Sequence, residues 1–154
     1  MSGETTDRRW LELIGAPRVV DPQAEGYPEN FWNYGESDPH FAIDTGRLAH
    51  VLNLAADGIG YGAALPEGEG IGLAVHRSFV SYVACAARVK MVDGIATVPE
   101  MHLAIDCGYA ANPERIESQM QGAAVQGLTA ALESGITFTD GSVGQGNLYD
   151  DGVV

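Results

Sequence analysis

The sequence predicts an α+β fold in which mainly antiparallel β-hairpins pack against one long helix, accompanied by a second helix and an extended N-terminal arm. Three observations predict it: helical periodicity in two long segments, period-two alternation between them, and two Asp-Gly pairs placed where hairpins turn. The order helix, strands, helix, strands is typical of α+β domains. We divide the chain into an arm over residues 1–45 and a partial α+β domain over residues 46–154.

The arm begins with a short predicted helix. Thr6 or Asp7 is a suitable N-cap, and Gly15 with Pro17 ends the helix. Residues 21–39 then combine three prolines with four aromatic residues. The prolines exclude regular structure, whereas the four aromatic residues are too many for a free linker. We expect these aromatics, Tyr27, Phe31, Trp32 and Tyr34, to pack on the domain or on a neighbouring chain.

The first long helix is expected to begin at Asp44 or Thr45 and to end at Gly58 and Gly60. Its apolar side chains recur at i, i+3, i+4 and i+7, as on one face of a helix. A glycine-rich turn over residues 65–72 leads into strands. Its alternating glycines fit neither G-x-G-x-x-G nor a P-loop, so a tight turn is favoured over a phosphate site.

Residues 79–91 alternate as a half-buried strand does, and Asp93-Gly94 predicts a hairpin turn. The return strand is Ile95–Asp106, in which Pro99 indicates a bulge or an edge position. We assign the face that carries Cys85 to the core. Cys107 and His102 are an odd number of residues apart, which places them on opposite faces and disfavours a thiolate–imidazole pair. Both cysteines are therefore interpreted as buried structural thiols, and a cysteine-dependent enzyme is disfavoured.

Asn112-Pro113 opens the best-specified helix, because Asn is a strong N-cap and Pro suits the first helical position. Gly135 closes it, and a last hairpin turns at Asp140-Gly141. Inside the helix Gln119 and Gly122 share a stripe beside the apolar one. Two explanations of Gly122 stay open: a flat ligand or backbone approaches it, or the helix glycines allow close packing on the sheet.

Composition excludes several classes of function. Eight Lys and Arg stand against 21 Asp and Glu, a formal net charge of −13, so nucleic acid and anionic lipid are poor partners. No apolar run is long enough for a membrane span, and the four histidines are scattered without metal-ligand spacing. Residues 1–7 lack the layout of a secretion signal, which favours the cytoplasm, or the periplasm if a longer parent carries a signal.

Several motifs in order resemble the molybdenum hydroxylases, the xanthine dehydrogenase and aldehyde oxidase superfamily, and most closely the beta subunit of isoquinoline 1-oxidoreductase. The resemblance covers most of residues 10–149. Its motifs are IDTGRLAHVL at 43–52, GIGLA at 70–74, SFVSYVA at 78–84, DCGYAANP at 106–113, QMQG at 119–122, QGL at 126–128 and NLYD at 147–150.

The resemblance implies a molybdopterin cofactor, usually its cytosine dinucleotide form, and a partner subunit with two [2Fe-2S] clusters. It implies hydroxylation of an aldehyde or an N-heterocycle. By the same resemblance Gln119 contacts the pterin, and Gly108, Asn112 and Gly122 occupy framework positions of the cofactor site. No catalytic residue and no metal ligand is assigned to this chain.

The chain departs from the family in one respect. The family's base is a glutamate in a Gly-x-Gly-Glu motif, expected beyond Val154, and no such motif occurs here. We therefore expect a fragment or split subunit that is inactive alone, or alternatively a non-catalytic binding or assembly module. A slice of a larger domain exposes apolar faces, which predicts a homo-oligomer or an obligate complex with the remaining large-subunit segments.

Overall fold

The computed structural model describes residues 6–28 and 42–146 of the chain. The predicted packing of Phe31, Trp32 and Tyr34, and the motif at 147–150, lie outside the described residues. The chain divides into two compact units, Met1–Tyr109 and Ala110–Val154. The elements are α1 (Thr6–Ile14), α2 (Thr45–Ile59), β1 (Glu69–Ser78), β2 (Ser81–Val92), β3 (Ile95–Asp106), α3 (Pro113–Leu132), β4 (Phe138–Thr139) and β5 (Ser142–Val143).

Helix α2 begins after its predicted cap and ends before Gly60, and α1 ends before Gly15. Asp44 caps α2, because its carboxylate accepts hydrogen bonds from the backbone N–H groups of Gly46 and Arg47. Gly60 follows α2 at φ 69°, and its N–H bonds back into the last helical turn. Gly15 ends α1 in the same left-handed conformation at φ 75°.

Three antiparallel strands form the sheet in the order β1-β2-β3. Asp93-Gly94 makes the turn between β2 and β3, with positive φ at both residues, as the sequence predicts. The register of β3 shifts by one residue between the pairs Arg88–Glu100 and Lys90–Thr97, so Pro99 lies in the expected bulge. The turn between β1 and β2 is made by Phe79 and Val80, which the sequence analysis placed at the start of a strand.

Helix α2 covers one face of this sheet. The buried core joins Val51, Leu52 and Ala55 of α2 to Tyr82, Ala84 and Ala86 of β2. The prediction that the Cys85 face is the core face is therefore wrong. Small alanines let the helix approach the sheet closely, whereas the more apolar residues of the alternate face stay half-buried.

The correction of the core face also changes the expected burial of the two cysteines. Cys85 and Cys107 are both free and half-buried, so the expectation of buried thiols is corrected. Burial nevertheless raises the pKa of the Cys85 thiol, which disfavours its thiolate form. The side chains that share the alternate face of β2 and β3, Val83, Leu103 and Ile105, are also half-buried. The helices of the first unit pack on the opposite face.

The second unit contains α3 and a short hairpin. Asn112 caps α3 by accepting a hydrogen bond from the Arg115 N–H, and Pro113 is the first helical residue. The helix ends at Leu132, just before the predicted Gly135, and none of its residues is buried. Strands β4 and β5 pair around Asp140-Gly141, as expected. The predicted α+β class with mainly antiparallel pairing is confirmed in the described residues. In the described part of the chain no helix has the length and apolarity of a membrane span.

Candidate cofactor-binding site

The turn after β3 is fixed by an acidic side chain. Asp106 ends the strand and accepts two hydrogen bonds from the Arg47 guanidinium, each 2.6 Å long. Its Oδ1 also accepts from the backbone N–H of Gly108 at 3.0 Å. Gly108 is at φ 78°, in the left-handed region that glycine adopts without strain. One carboxylate therefore holds both the helix and the turn that carries a predicted site residue.

Arg47 and Tyr82 connect this turn to the start of α2. The Arg47 guanidinium lies 4.5 Å from the centre of the Tyr82 ring, within cation–π distance. The Tyr82 hydroxyl accepts from the Asp44 N–H at 2.7 Å and donates to the Ala42 carbonyl. The buried tyrosine thus fixes the residues before α2, and the arginine fixes the exit of β3.

The ion pair changes the acidity of its carboxyl group. The pKa of Asp106 is lowered to about 2, chiefly because Arg47 hydrogen-bonds the carboxylate and also because the Gly108 N–H does, while partial burial opposes both. The same pairing raises the pKa of Arg47. Asp106 is thus a carboxylate at neutral pH that is engaged on both oxygens, which suits a structural role rather than that of a proton acceptor.

The other three predicted site residues lie in the second unit. The side-chain oxygen of Asn112 accepts the hydrogen bond that caps α3. Gln119 and Gly122 are both solvent-exposed on α3, three residues apart and hence on the same side of the helix. Apart from its chain neighbours and the adjoining backbone of its own helix, no described atom lies within 4 Å of the position that a Cβ on Gly122 would take. Gly122 therefore makes no close packing contact inside its own unit, and the alternative, close packing of the helix glycines on the sheet, stays a prediction.

A flat cofactor is compatible with these residues. A glycine with open space beside it leaves a side-chain-free patch, and an exposed glutamine both donates and accepts hydrogen bonds. Gly108 belongs to the first unit and the other three residues to the second, and each unit is described by itself. Within the described ranges 6–28 and 42–146, no group of three or more His, Cys, Asp or Glu side chains is arranged to hold a metal ion.

His102 has a partner on its own strand. Its Nε2 lies 3.1 Å from Glu100, which also accepts from the Arg88 Nε at 2.9 Å. Hydrogen bonding by His102 and then by Arg88 lowers the pKa of Glu100. Where α2 packs on β3, a Cβ added to Gly58 would lie 2.5 Å from the His102 Nδ1. Gly58 was expected to help end α2, but it lies inside the helix and admits the imidazole.

Sequence reasoning missed the Arg47–Asp106 pair. The two residues are 59 positions apart, so neither helix spacing nor strand spacing connects them. The available signal was the position of Asp106 at the end of a strand, directly before a glycine turn. The resemblance covered both residues without assigning either of them a role.

Comparison with known protein families finds a match over most of the chain. Residues 39–153 match the model of a family described as the molybdopterin cofactor-binding domain. No curated protein and no solved structure matched the chain. The match includes α2, the sheet, the Asp106–Gly108 turn and the exposed Gln119–Gly122 side of α3. Because the match spans most of the length of the chain, the chain belongs to the molybdopterin cofactor-binding domain family.

Proposed function

We propose that this chain forms part of the pterin-binding large subunit of a molybdenum hydroxylase, an oxidoreductase that hydroxylates aldehydes or N-heterocycles. The observation that carries the proposal is the exposed Gln119–Gly122 pair on α3, which has open space beside the glycine and lies within the residues matched to the family. The cofactor, in its cytosine dinucleotide form, supplies the redox chemistry of the molybdenum centre when bound.

In this proposal each predicted residue has a binding or positioning role. Gln119 exchanges hydrogen bonds with the heterocyclic edge of the pterin, since a carboxamide both donates and accepts. Gly122 leaves room for the flat ring. Gly108 allows the left-handed turn after β3, and Asn112 fixes the first turn of α3. Partly positive backbone N–H groups at a helix start favour the anionic groups of such a cofactor.

The proposal includes partners. General-base chemistry needs a carboxylate within hydrogen-bond reach of the reacting group, and the Gly-x-Gly-Glu motif that would provide it is absent from these 154 residues. We therefore assign activity to a complex with the remaining large-subunit segments and a [2Fe-2S] subunit. The half-buried apolar face of the sheet supports this reading, because apolar surface of that kind is commonly covered by a partner.

Co-purification tests the proposal. The chain is co-expressed with the reading frames that neighbour its gene, and the purified complex is measured for molybdenum by mass spectrometry and for pterin by fluorescence. We expect both in a ratio near one per chain. A stable complex that contains neither would contradict the proposal and would favour the alternative, a non-catalytic binding or assembly module of the same fold.

A further inference from the structure

A cleft of about 360 Å³ lies between α1, the start of α2 and the end of β1. This volume is in the range of small-molecule sites. Trp10 and Leu13 contribute apolar surface from α1, and Val75 contributes it from the strand. The α1 side of the cleft precedes the residues matched to the cofactor-binding family, so the cleft is not explained by the family match.

The charge of the lining is opposite to that of the chain. Arg18 and Arg77 line the cleft, and its lining, drawn from the described residues, includes no Asp or Glu. In the whole chain acidic residues outnumber Lys and Arg by 21 to 8. A typical surface patch of such a chain would carry more acidic than basic residues. The positive charge of the lining is therefore a local property of this cleft.

The guanidinium groups of Arg18 and Arg77 both already contact other groups of the protein. Arg18 donates to the Ile14 carbonyl at 3.0 Å and to the Glu25 carboxylate at 3.2 Å, and the Arg18 and Glu25 side chains are both about half exposed, at 47 %. Arg77 lies 5.9 Å from the centre of the Tyr82 ring. An exposed pair of this kind contributes little to stability, so an incoming carboxylate can replace Glu25 at low cost.

We propose that this cleft binds a small aromatic carboxylate. A guanidinium recognises a carboxylate through two parallel hydrogen bonds, which a neutral group of the same shape does not offer. The half-buried Trp10 indole and the neighbouring aliphatic side chains accept the flat, apolar body of the ligand. None of the residues that line the cleft belongs to the proposed pterin contact on α3, so this inference goes beyond the proposed function.

The test uses 4-fluorophenylacetate as the probe and ¹⁹F NMR line broadening on the full chain as the readout. The neutral isostere 4-fluorophenylacetamide has the same ring and lacks the charge. We expect the acid to bind at least about tenfold more tightly than the amide, as loss of a charge-assisted contact implies. Equal binding of the two, or no broadening of the acid signal at about 10 mM, a concentration at which even weak small ligands bind, would overturn the proposal.

Variants localise the site. Leu13→Glu adds a carboxylate to the lining at a position that is 66 % exposed, so the fold is retained. It should weaken binding of the acid about tenfold through charge repulsion. Leu54→Glu is the matched control, because Leu54 is also exposed, at 50 %, lies on α2 and does not line the cleft. Equal weakening by both variants would place the site elsewhere and overturn the proposal.

Discussion

At the scale of single residues, three contacts determine how the sheet and α2 fit together. Arg47 and Asp106 form a two-pronged ion pair between the start of the helix and the end of β3. The buried Tyr82 ring lies beside this pair, and its hydroxyl forms hydrogen bonds with the backbone just before α2. Gly58 has no side chain where His102 approaches. Each contact is local in space and distant in sequence, so each makes a specific prediction for a single substitution.

The Asp106 ion pair predicts a pH dependence of stability. The folded pKa of Asp106 is lowered from 3.8 to about 2, so the pair stabilises the fold above pH 3.8 and this contribution is lost as the pH falls through about 2. Asp106→Asn should lower the free energy of unfolding by about 1–2 kcal/mol at pH 7, allowing for partial solvent screening. Near pH 2 the variant and the natural chain should converge. Urea unfolding at both pH values measures the difference.

A matched control uses a second ion pair. Glu25→Gln removes the exposed pair with Arg18 and should change stability by about 0.5 kcal/mol or less at either pH. An Asp106→Asn effect that is as large at pH 2 as at pH 7 would mean that the carboxylate charge is not what stabilises this turn.

The contact between Gly58 and His102 predicts that alanine is unfavourable at position 58. Its Cβ would lie 2.5 Å from the imidazole, which must shift and lengthen its bond to Glu100. We expect a net loss of about 1 kcal/mol, because a steric cost of about 1–3 kcal/mol exceeds the helical advantage of alanine. Thermal unfolding measures it. Gly127→Ala, with no described atom within 4 Å, should instead stabilise by up to about 1 kcal/mol.

At the scale of the elements, the two hairpins of the sheet are built from very different turns. Asp93-Gly94 suits positive φ at both central residues. Phe79 and Val80 adopt φ of 45° and 61°, although a β-branched valine is strongly disfavoured there. The backbone of the first turn is therefore strained, and the strand pairing on either side maintains it.

This strain predicts a stabilising double substitution. Phe79→Asn with Val80→Gly places the preferred pair in the turn and should raise the free energy of unfolding by about 1–2 kcal/mol, with the sheet retained. The reverse change, Asp93→Val with Gly94→Val, should destabilise the second hairpin. Chemical denaturation measures both. Unchanged or lower stability of the first variant would show that the Phe79–Val80 turn is not strained.

The same comparison explains how much of the fold could be predicted from sequence. Helices α1, α2 and α3 and the Asp93-Gly94 hairpin have local signals, namely caps, periodicity and turn residues, and all four were predicted. The turn at Phe79 has no such signal, since neither residue favours it, and it was missed. The faces of β2 were reversed, because alanines at 84 and 86 give a weaker apolar pattern than the half-buried residues between them. Close helix packing, which selects small residues, has no periodicity of its own.

The site was predictable only in part for a related reason. Gln119 and Gly122 were selected by their spacing on a helix, and the structure places both on an exposed side with open space at the glycine. The support behind Gly108 depends on a pair separated by 59 positions. Such a contact follows from the tertiary fold and leaves no pattern within either element.

At the scale of the whole molecule, the half-buried apolar face of β2 and β3 predicts association. Light scattering at micromolar concentration should give a mass above the 16.2 kDa of one chain. Leu103→Lys places a charge on that face and should shift the mass toward the monomer with the far-UV circular dichroism unchanged. Leu54→Lys, an exposed position on α2, is the control. A monomeric mass for the natural chain would contradict this expectation.

We propose that the exposed side of α3 contacts the pterin. The most direct test measures the pterin content of the co-expressed complex after one of two helix glycines is replaced by leucine. Gly122→Leu and Gly127→Leu gain similar helix propensity, and neither position has a described atom within 4 Å of its Cβ. We predict that Gly122→Leu lowers pterin occupancy at least about tenfold, as filling a close-contact site with four carbons implies, and that Gly127→Leu retains it. Full occupancy in Gly122→Leu would contradict the account.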